Sequence, residues 1–134
     1  MPEAESPFER LDFLYTPSAD VAADLEAFER LGARAVFAID SEGTRVAAVE
    51  VARDGPLVLL TDHLEGERAI DIYRVADLEA SLRELAARGW TPERRLEIPH
   101  GPVATFRSPA GVRLALYQLT RPEVAAHFDG RRDF

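Results

Sequence analysis

Apolar positions in the first half of the chain change from strand spacing to helix spacing and back again. A strand is predicted over Leu11–Thr16, and Val21, Leu25 and Phe28 then share one face of a helix that Asp20 can cap. Three more strands follow, each bounded by turn-forming residues, at Ala35–Ile39, Arg45–Ala52 and Leu57–Thr61. The pattern therefore predicts the element order β-α-β-β-β.

The second half of the chain repeats this order. It predicts a strand, a helix and three strands, at Ala69–Val75, Asp77–Arg88, Glu93–Ile98, Val103–Arg107 and Val112–Leu119. The capping residues Asp20 and Asp77 are 57 positions apart, and so are Gly32 and Gly89, which end the two helices. We infer an internal repeat of two βαβββ modules. The 134 residues fit one α+β domain, with modules at about 10–62 and 68–119 and a tail at 120–134.

Composition and charge argue against several classes of function. The chain has no cysteine, so it has neither a thiolate metal site nor a cysteine nucleophile. Its net charge of −8 disfavours binding to nucleic acid, which requires clustered Lys and Arg. No apolar run is long enough to span a membrane, and the acidic amino end does not resemble a secretion signal. We expect a cytoplasmic protein without nucleic-acid or membrane partners.

Four short fragments, taken in order, resemble a known family: Leu11–Phe13, Arg74–Leu78, Ala87–Gly89 and Phe106–Gly111. Together with the doubled unit they resemble the vicinal oxygen chelate superfamily, which includes glyoxalase I, extradiol dioxygenases, and fosfomycin and bleomycin resistance proteins. The resemblance implies that the two modules form one curled mixed sheet, a cup, with helices on its outer face. Ser108 departs from the pattern, because the family usually has an aspartate there.

The resemblance places the family's four metal-ligand positions at Phe13, Leu59, Ile70 and Ala115. Members that bind a metal have His, Glu or Gln at these positions, because divalent cations need nitrogen or oxygen lone pairs. Hydrocarbon side chains offer none, so we expect neither a metal nor another cofactor. Asp12 and Asp71 are the nearest acidic residues, and strand alternation predicts that they point toward the helices.

Alternation also predicts a mostly apolar cup interior with aromatic walls and two arginines. With Phe106 added from the matched fragments, the predicted ligand contacts are Phe13, Tyr15, Leu59, Ile70, Ile72, Arg74, Phe106, Arg113 and Tyr117. Arg74 can hold a carboxylate or phosphate, and the tyrosines can donate hydrogen bonds or stack on a ring. The alternative is that these side chains pack against one another and fill the cup.

Two hypotheses about function follow. The first is a metal-independent protein that captures an aromatic or amphipathic small molecule, as the bleomycin resistance proteins do. The second is a lyase, isomerase or dioxygenase of the vicinal oxygen chelate type, either with metal ligands elsewhere or metal-free with Arg74 and a tyrosine in the reaction. No catalytic residue is assigned.

Two further expectations concern the tail and the quaternary structure. Pro122 favours a short helix that caps the open edge of the cup or reaches a second subunit. Residues Gly130–Phe134 are expected to be mobile unless Phe134 is anchored. The resemblance implies a homodimer in which facing cups or exposed sheet edges are covered by the partner.

Overall fold

A computed structural model describes residues 6–64, 66 and 68–134. In chain order the elements are β1 (Arg10–Pro17), α1 (Val21–Arg30), β2 (Arg34–Ser41), β3 (Thr44–Glu50), β4 (Leu57–Thr61), β5 (Ile70–Val75), α2 (Leu78–Ala87), β6 (Arg94–Ile98), β7 (Gly101–Arg107), β8 (Arg113–Gln118) and α3 (Glu123–Phe128). The predicted α+β fold of two tandem βαβββ modules is confirmed. None of the helices in the described part of the chain is long and apolar enough to cross a membrane.

The eight strands form one mixed sheet in the order β2-β3-β4-β1-β5-β8-β7-β6. Within each module the first strand pairs in parallel with the last, β1 with β4 and β5 with β8. The modules meet where β1 and β5 pair antiparallel, so the two halves of the sheet have mirrored strand orders. The sheet curls into a half-barrel, which confirms the predicted cup.

Both predicted helix caps are present. Asp20 Oδ1 accepts a hydrogen bond from the Ala23 amide at 3.0 Å, and Asp77 Oδ1 accepts one from the Ala80 amide at 3.1 Å. The apolar face of α1 packs on module one, and that of α2 packs on module two. The helices thus cover the outer face of the sheet, and the concave face remains for a site.

Side chains fill the floor of the cup. The cluster that forms it is fully or nearly fully buried and comprises Phe13, Tyr15, Phe37, Ile39, Ala48, Leu59, Ile70, Ile72, Ile98, Val103, Ala115 and Tyr117. Most of these residues are the inward-facing ones that alternation predicts. Any ligand therefore has to bind above this floor or at the ends of the cup.

The tail crosses from module two to module one. At its start, Arg121 Nε donates to the Pro99 carbonyl at 2.7 Å, beside the β6–β7 turn. At its end, Ala38 in β2 donates to the Arg131 carbonyl and accepts from the Asp133 amide, at 2.8 and 2.7 Å. The guanidinium of Arg45 lies 4.6 Å from the ring centroid of Phe134. The last residue is therefore anchored.

The path of the tail limits the surfaces through which the expected homodimer can form. The tail pairs with the edge of β2, which is one of the sheet edges that a partner subunit would otherwise cover. The homodimer itself stays a prediction, and a partner would have to use a different surface.

Candidate functional site

The four predicted metal-ligand positions lie in the packed floor. Exposure is 4% for Phe13 and 0% for Leu59, Ile70 and Ala115. Within residues 6–64, 66 and 68–134, no three or more His, Asp or Glu side chains are grouped so that they could hold a metal ion. These four side chains therefore cannot coordinate the divalent metal that metal-binding members of the superfamily hold at these positions.

An open pocket lies between α3 and the concave face of module one. Its volume is about 450 Å³, and we call it the apolar pocket. Its walls are Ile39, Val46, Pro99, Val124 and Phe128, with Ser41, Thr44, Arg121 and Arg131 adding the polar groups. The Phe128 ring is held by the Phe37 ring, with centroids 5.7 Å apart.

A second, smaller pocket of about 220 Å³ contains a cluster of charged and polar groups, and we call it the polar pocket. It is lined by Arg10, Asp12, Phe13, Gly55, Leu57, Arg74, His100, Tyr117, Leu119, Pro122 and Ala125. Three of the predicted ligand contacts meet here, namely Phe13, Arg74 and Tyr117. Pro122 and Ala125 belong to the tail, so the tail borders both pockets.

Asp12 organises the polar pocket, and its predicted direction was wrong. The pairing of β1 with β5 shifts by one residue between Leu11 and Phe13, which makes Asp12 the extra residue of a β-bulge. Its side chain is 6% exposed and turns to Tyr117 and Arg74 rather than to the helices. Asp12 Oδ2 accepts from the Tyr117 hydroxyl and from Arg74 Nε at 2.8 Å, and Oδ1 pairs with Arg10 Nε at 2.6 Å.

The protonation of Tyr117 follows from these contacts. Burial, and then the hydrogen bond to the Asp12 carboxylate, raise the pKa of the Tyr117 hydroxyl well above its usual value of 10.0. Tyr117 therefore keeps its proton and donates a hydrogen bond to Asp12. It does not serve as a base near neutral pH.

Sequence reasoning missed His100 as a residue of this pocket, because it lies in the turn between β6 and β7. The side chain is 6% exposed, and the ring centroid lies 4.6 Å from that of Phe13. Its Nδ1 is buried without a hydrogen-bond partner among the described residues. Burial lowers the pKa of His100 below 6.5, and the negative charge of Asp12 opposes this shift, while the positive charges of Arg121 and Arg74 add to it. The ring is therefore mainly neutral at pH 7.

This shift predicts an acid sensitivity. Below about pH 6.5 the unfolded chain binds a proton at His100 more readily than the folded chain does, so the folded state loses stability as the pH falls from there toward the lower pKa of the folded state. We expect the free energy of unfolding of His100→Phe to fall by about 1 kcal/mol less than that of wild type between pH 7 and 5. Urea denaturation at several pH values measures this, with the exposed His127→Phe as the control. Parallel pH profiles for wild type and His100→Phe would contradict the assignment.

The other two predicted polar contacts, Tyr15 and Arg113, lie at the end of the cup opposite the polar pocket. Tyr15 Oη and His63 Nε2 are hydrogen-bonded at 2.5 Å, and His63 Nδ1 lies 2.6 Å from Thr61 Oγ1. Arg113 lines a separate cleft of about 680 Å³, together with Arg68, Arg94 and Arg107. Eight of the nine predicted contacts thus face the cup. Phe13, Arg74 and Tyr117 lie at one end, Tyr15 and Arg113 lie at the other, and Leu59, Ile70 and Ile72 lie in the floor between them.

Phe106 is the predicted contact that lies outside the cup. It is buried on the helix side of the sheet, where its ring centroid is 6.1 Å from that of Trp90. Val103, three positions earlier on β7, faces the cup, so alternation turns Phe106 to the other side. The prediction relied on the matched fragment and not on the direction of the side chain.

Comparison with known proteins identifies the fold. No family model matches the chain, and no curated protein matches it. Methylmalonyl-CoA epimerase from Mycobacterium tuberculosis aligns with a TM-score of 0.70 and 22% identity, over 93% of this chain and 97% of that one. A glyoxalase/bleomycin resistance protein/dioxygenase superfamily member from Vibrio splendidus 12B01 aligns at 0.54 and 17%, over 81% and 97%.

A glyoxalase I variant from Zea mays aligns with a TM-score of 0.62 and 20% identity, over 84% of this chain but only 44% of that one. This chain therefore spans less than half of that protein. The TM-scores establish a shared fold, and identities this low leave the chemistry to be argued from the site.

Proposed function

This chain has the fold of the vicinal oxygen chelate superfamily. We propose that it is a metal-independent binding protein for a small aromatic or amphipathic molecule. The observation that carries this proposal is the apolar pocket, which stays open beside α3 although the floor of the cup is packed. Its volume of about 450 Å³ lies within the usual range of ligand pockets, about 300–1,000 Å³.

The chemistry of the walls supports a largely apolar ligand. Branched side chains from β2 and β3 form one wall, and the Phe128 ring with Val124 forms the other. The two arginines at the rim already have partners. Arg121 Nη2 donates to the Ile98 carbonyl at 2.8 Å, and Arg131 pairs with Asp133 at 2.9 Å. Affinity would therefore come mainly from buried apolar area, with polar groups at the rim setting orientation.

The enzyme hypothesis has less support. Its metal-dependent form needs lone pairs at positions where the cup has hydrocarbon. Its metal-free form needs Arg74 and a tyrosine to act on a substrate, yet Tyr117 and the Nε of Arg74 both donate to Asp12. We therefore propose no catalytic residue.

The test uses anilinonaphthalene sulfonate, an aromatic and amphipathic fluorescent probe. We expect one saturable site in the wild-type protein. Val46→Trp places an indole in the apolar pocket and should weaken binding by about tenfold or more, because the ring occupies the volume that the probe needs. Fluorescence titration gives the dissociation constant.

The matched control is Val112→Trp, since Val112 is 58% exposed and outside both pockets. Its affinity should equal that of wild type. Thr44→Trp fills the same pocket from its rim and replaces Val46→Trp if that variant unfolds. Absence of saturable binding, or equal binding by both pocket-filling variants, would rule out the proposed site.

A further inference from the structure

We infer that the polar pocket is a second binding site, which takes a small monocarboxylate with a compact apolar body. This goes beyond the proposed function and does not depend on it. The two pockets have no lining residue in common.

Charge is the first reason. Asp12 is the one acidic side chain among the described residues that line the polar pocket, and two guanidinium groups, those of Arg10 and Arg74, pair with it. One positive charge is therefore left over among the side chains that line the pocket. A pocket with an uncompensated positive charge favours an anion of single charge.

Available hydrogen-bonding groups are the second reason. The side chain of Arg74 remains 34% exposed although its Nε is bound to Asp12, and it lines the pocket. A guanidinium group binds carboxylates through paired N–H donors. His100 adds a buried Nδ1 that has no partner among the described residues. A buried polar atom without a partner is unfavourable, and a ligand oxygen would satisfy it.

Size and shape are the third reason. A volume of about 220 Å³ corresponds to the liquid volume of about seven waters, at about 30 Å³ each. The remaining walls are apolar, formed by the Phe13 ring, Leu57, Leu119 and Ala125. A ring or a short branched chain attached to one carboxylate fits this description, whereas a nucleotide is too large and too highly charged.

The test is calorimetric titration of the full chain with benzoate, and with benzyl alcohol as the uncharged counterpart. We expect benzoate to bind with one-to-one stoichiometry and benzyl alcohol to bind at least about tenfold more weakly. Arg74→Met and His100→Leu should each weaken benzoate binding by about tenfold, since each removes one of the two groups that would hold the carboxylate. Arg113→Met, at the other end of the cup, should have no effect.

A matched pair of variants on the tail helix leaves the charged groups intact. Both Ala125 and Ala126 are exposed on α3, but Ala125 lines the polar pocket and Ala126 lines neither pocket. Ala125→Trp should therefore abolish benzoate binding, and Ala126→Trp should not. Probe binding in the apolar pocket, measured in the same variants, shows separately whether the proposed function holds.

Three results would overturn the inference. One is failure of benzoate to bind the wild-type protein. Another is equal binding of benzoate by wild type, His100→Leu and Ala125→Trp. The third is loss of binding in Arg113→Met, which would assign benzoate to the arginine-lined cleft instead.

Discussion

Replacing Gly101 with alanine is expected to lower the free energy of unfolding by about 3 kcal/mol, the upper end of what overpacking usually costs. A Cβ atom at this position would lie 2.0 Å from the Gln118 carbonyl oxygen, inside any permitted contact. The backbone cannot easily move away, because the amides of Thr120 and Arg121 both donate to the carbonyl of the preceding His100. Gly101 thus brings the turn that carries His100 against the end of β8.

Chemical denaturation measures this loss, and Gly43→Ala is the matched control. Gly43 has a φ of +82°, but no atom lies within 4 Å of the position that a Cβ would occupy there, so its substitution reports only the cost of the backbone conformation. That cost is about 1 kcal/mol. If the two substitutions destabilised the protein equally, the close approach at Gly101 would not be the cause.

Asp12→Ala is expected to cost about 3 kcal/mol, because it leaves the buried Tyr117 hydroxyl without its acceptor and removes the shared partner of two arginines. Asp12→Asn keeps the shape and one acceptor oxygen, so we expect a smaller loss of about 1–2 kcal/mol. Both values come from urea denaturation near pH 7. The partial exposure of Arg10 and Arg74 limits the electrostatic part of the effect.

Asp71→Ala is the control for this substitution, since Asp71 lies on the strand that pairs with β1 but its side chain forms no hydrogen bond or ion pair with the described residues. Its effect should stay within about 0.5 kcal/mol. A similar loss for Asp12→Ala and Asp71→Ala would show that the Asp12 cluster does not stabilise the fold.

Local periodicity was sufficient to predict the order of helices and strands and the internal repeat, whereas the curled sheet was predicted from the family resemblance. The spacing between Asp20 and Asp77 marks the two helix starts, and both side chains cap as expected. Alternation within β1 and β8 correctly turned Phe13, Tyr15 and Tyr117 toward the concave face. These features depend on residues that are close together in the sequence, so the sequence alone is enough to predict them.

The candidate site depends on long-range contacts and was predicted only in part. The bulge at Asp12 shifts the strand register, and alternation assumes an unbroken ladder. His100 lies in a turn, where a sequence gives no direction for the side chain. Its approach to Phe13 requires β6, β7 and β1 to be assembled first. The path of the tail across the cup is equally non-local, because Val124 and Phe128 meet module one only after folding.

The central claim is that the cup binds its ligand without a metal, and the probe titration tests it most directly after dialysis against a chelator. Elemental analysis of the dialysed protein establishes its metal content. We predict the same dissociation constant before dialysis, after dialysis and after addition of zinc or manganese. A stoichiometric divalent ion in the purified protein, with probe binding lost on chelation and restored by that ion, would contradict the account.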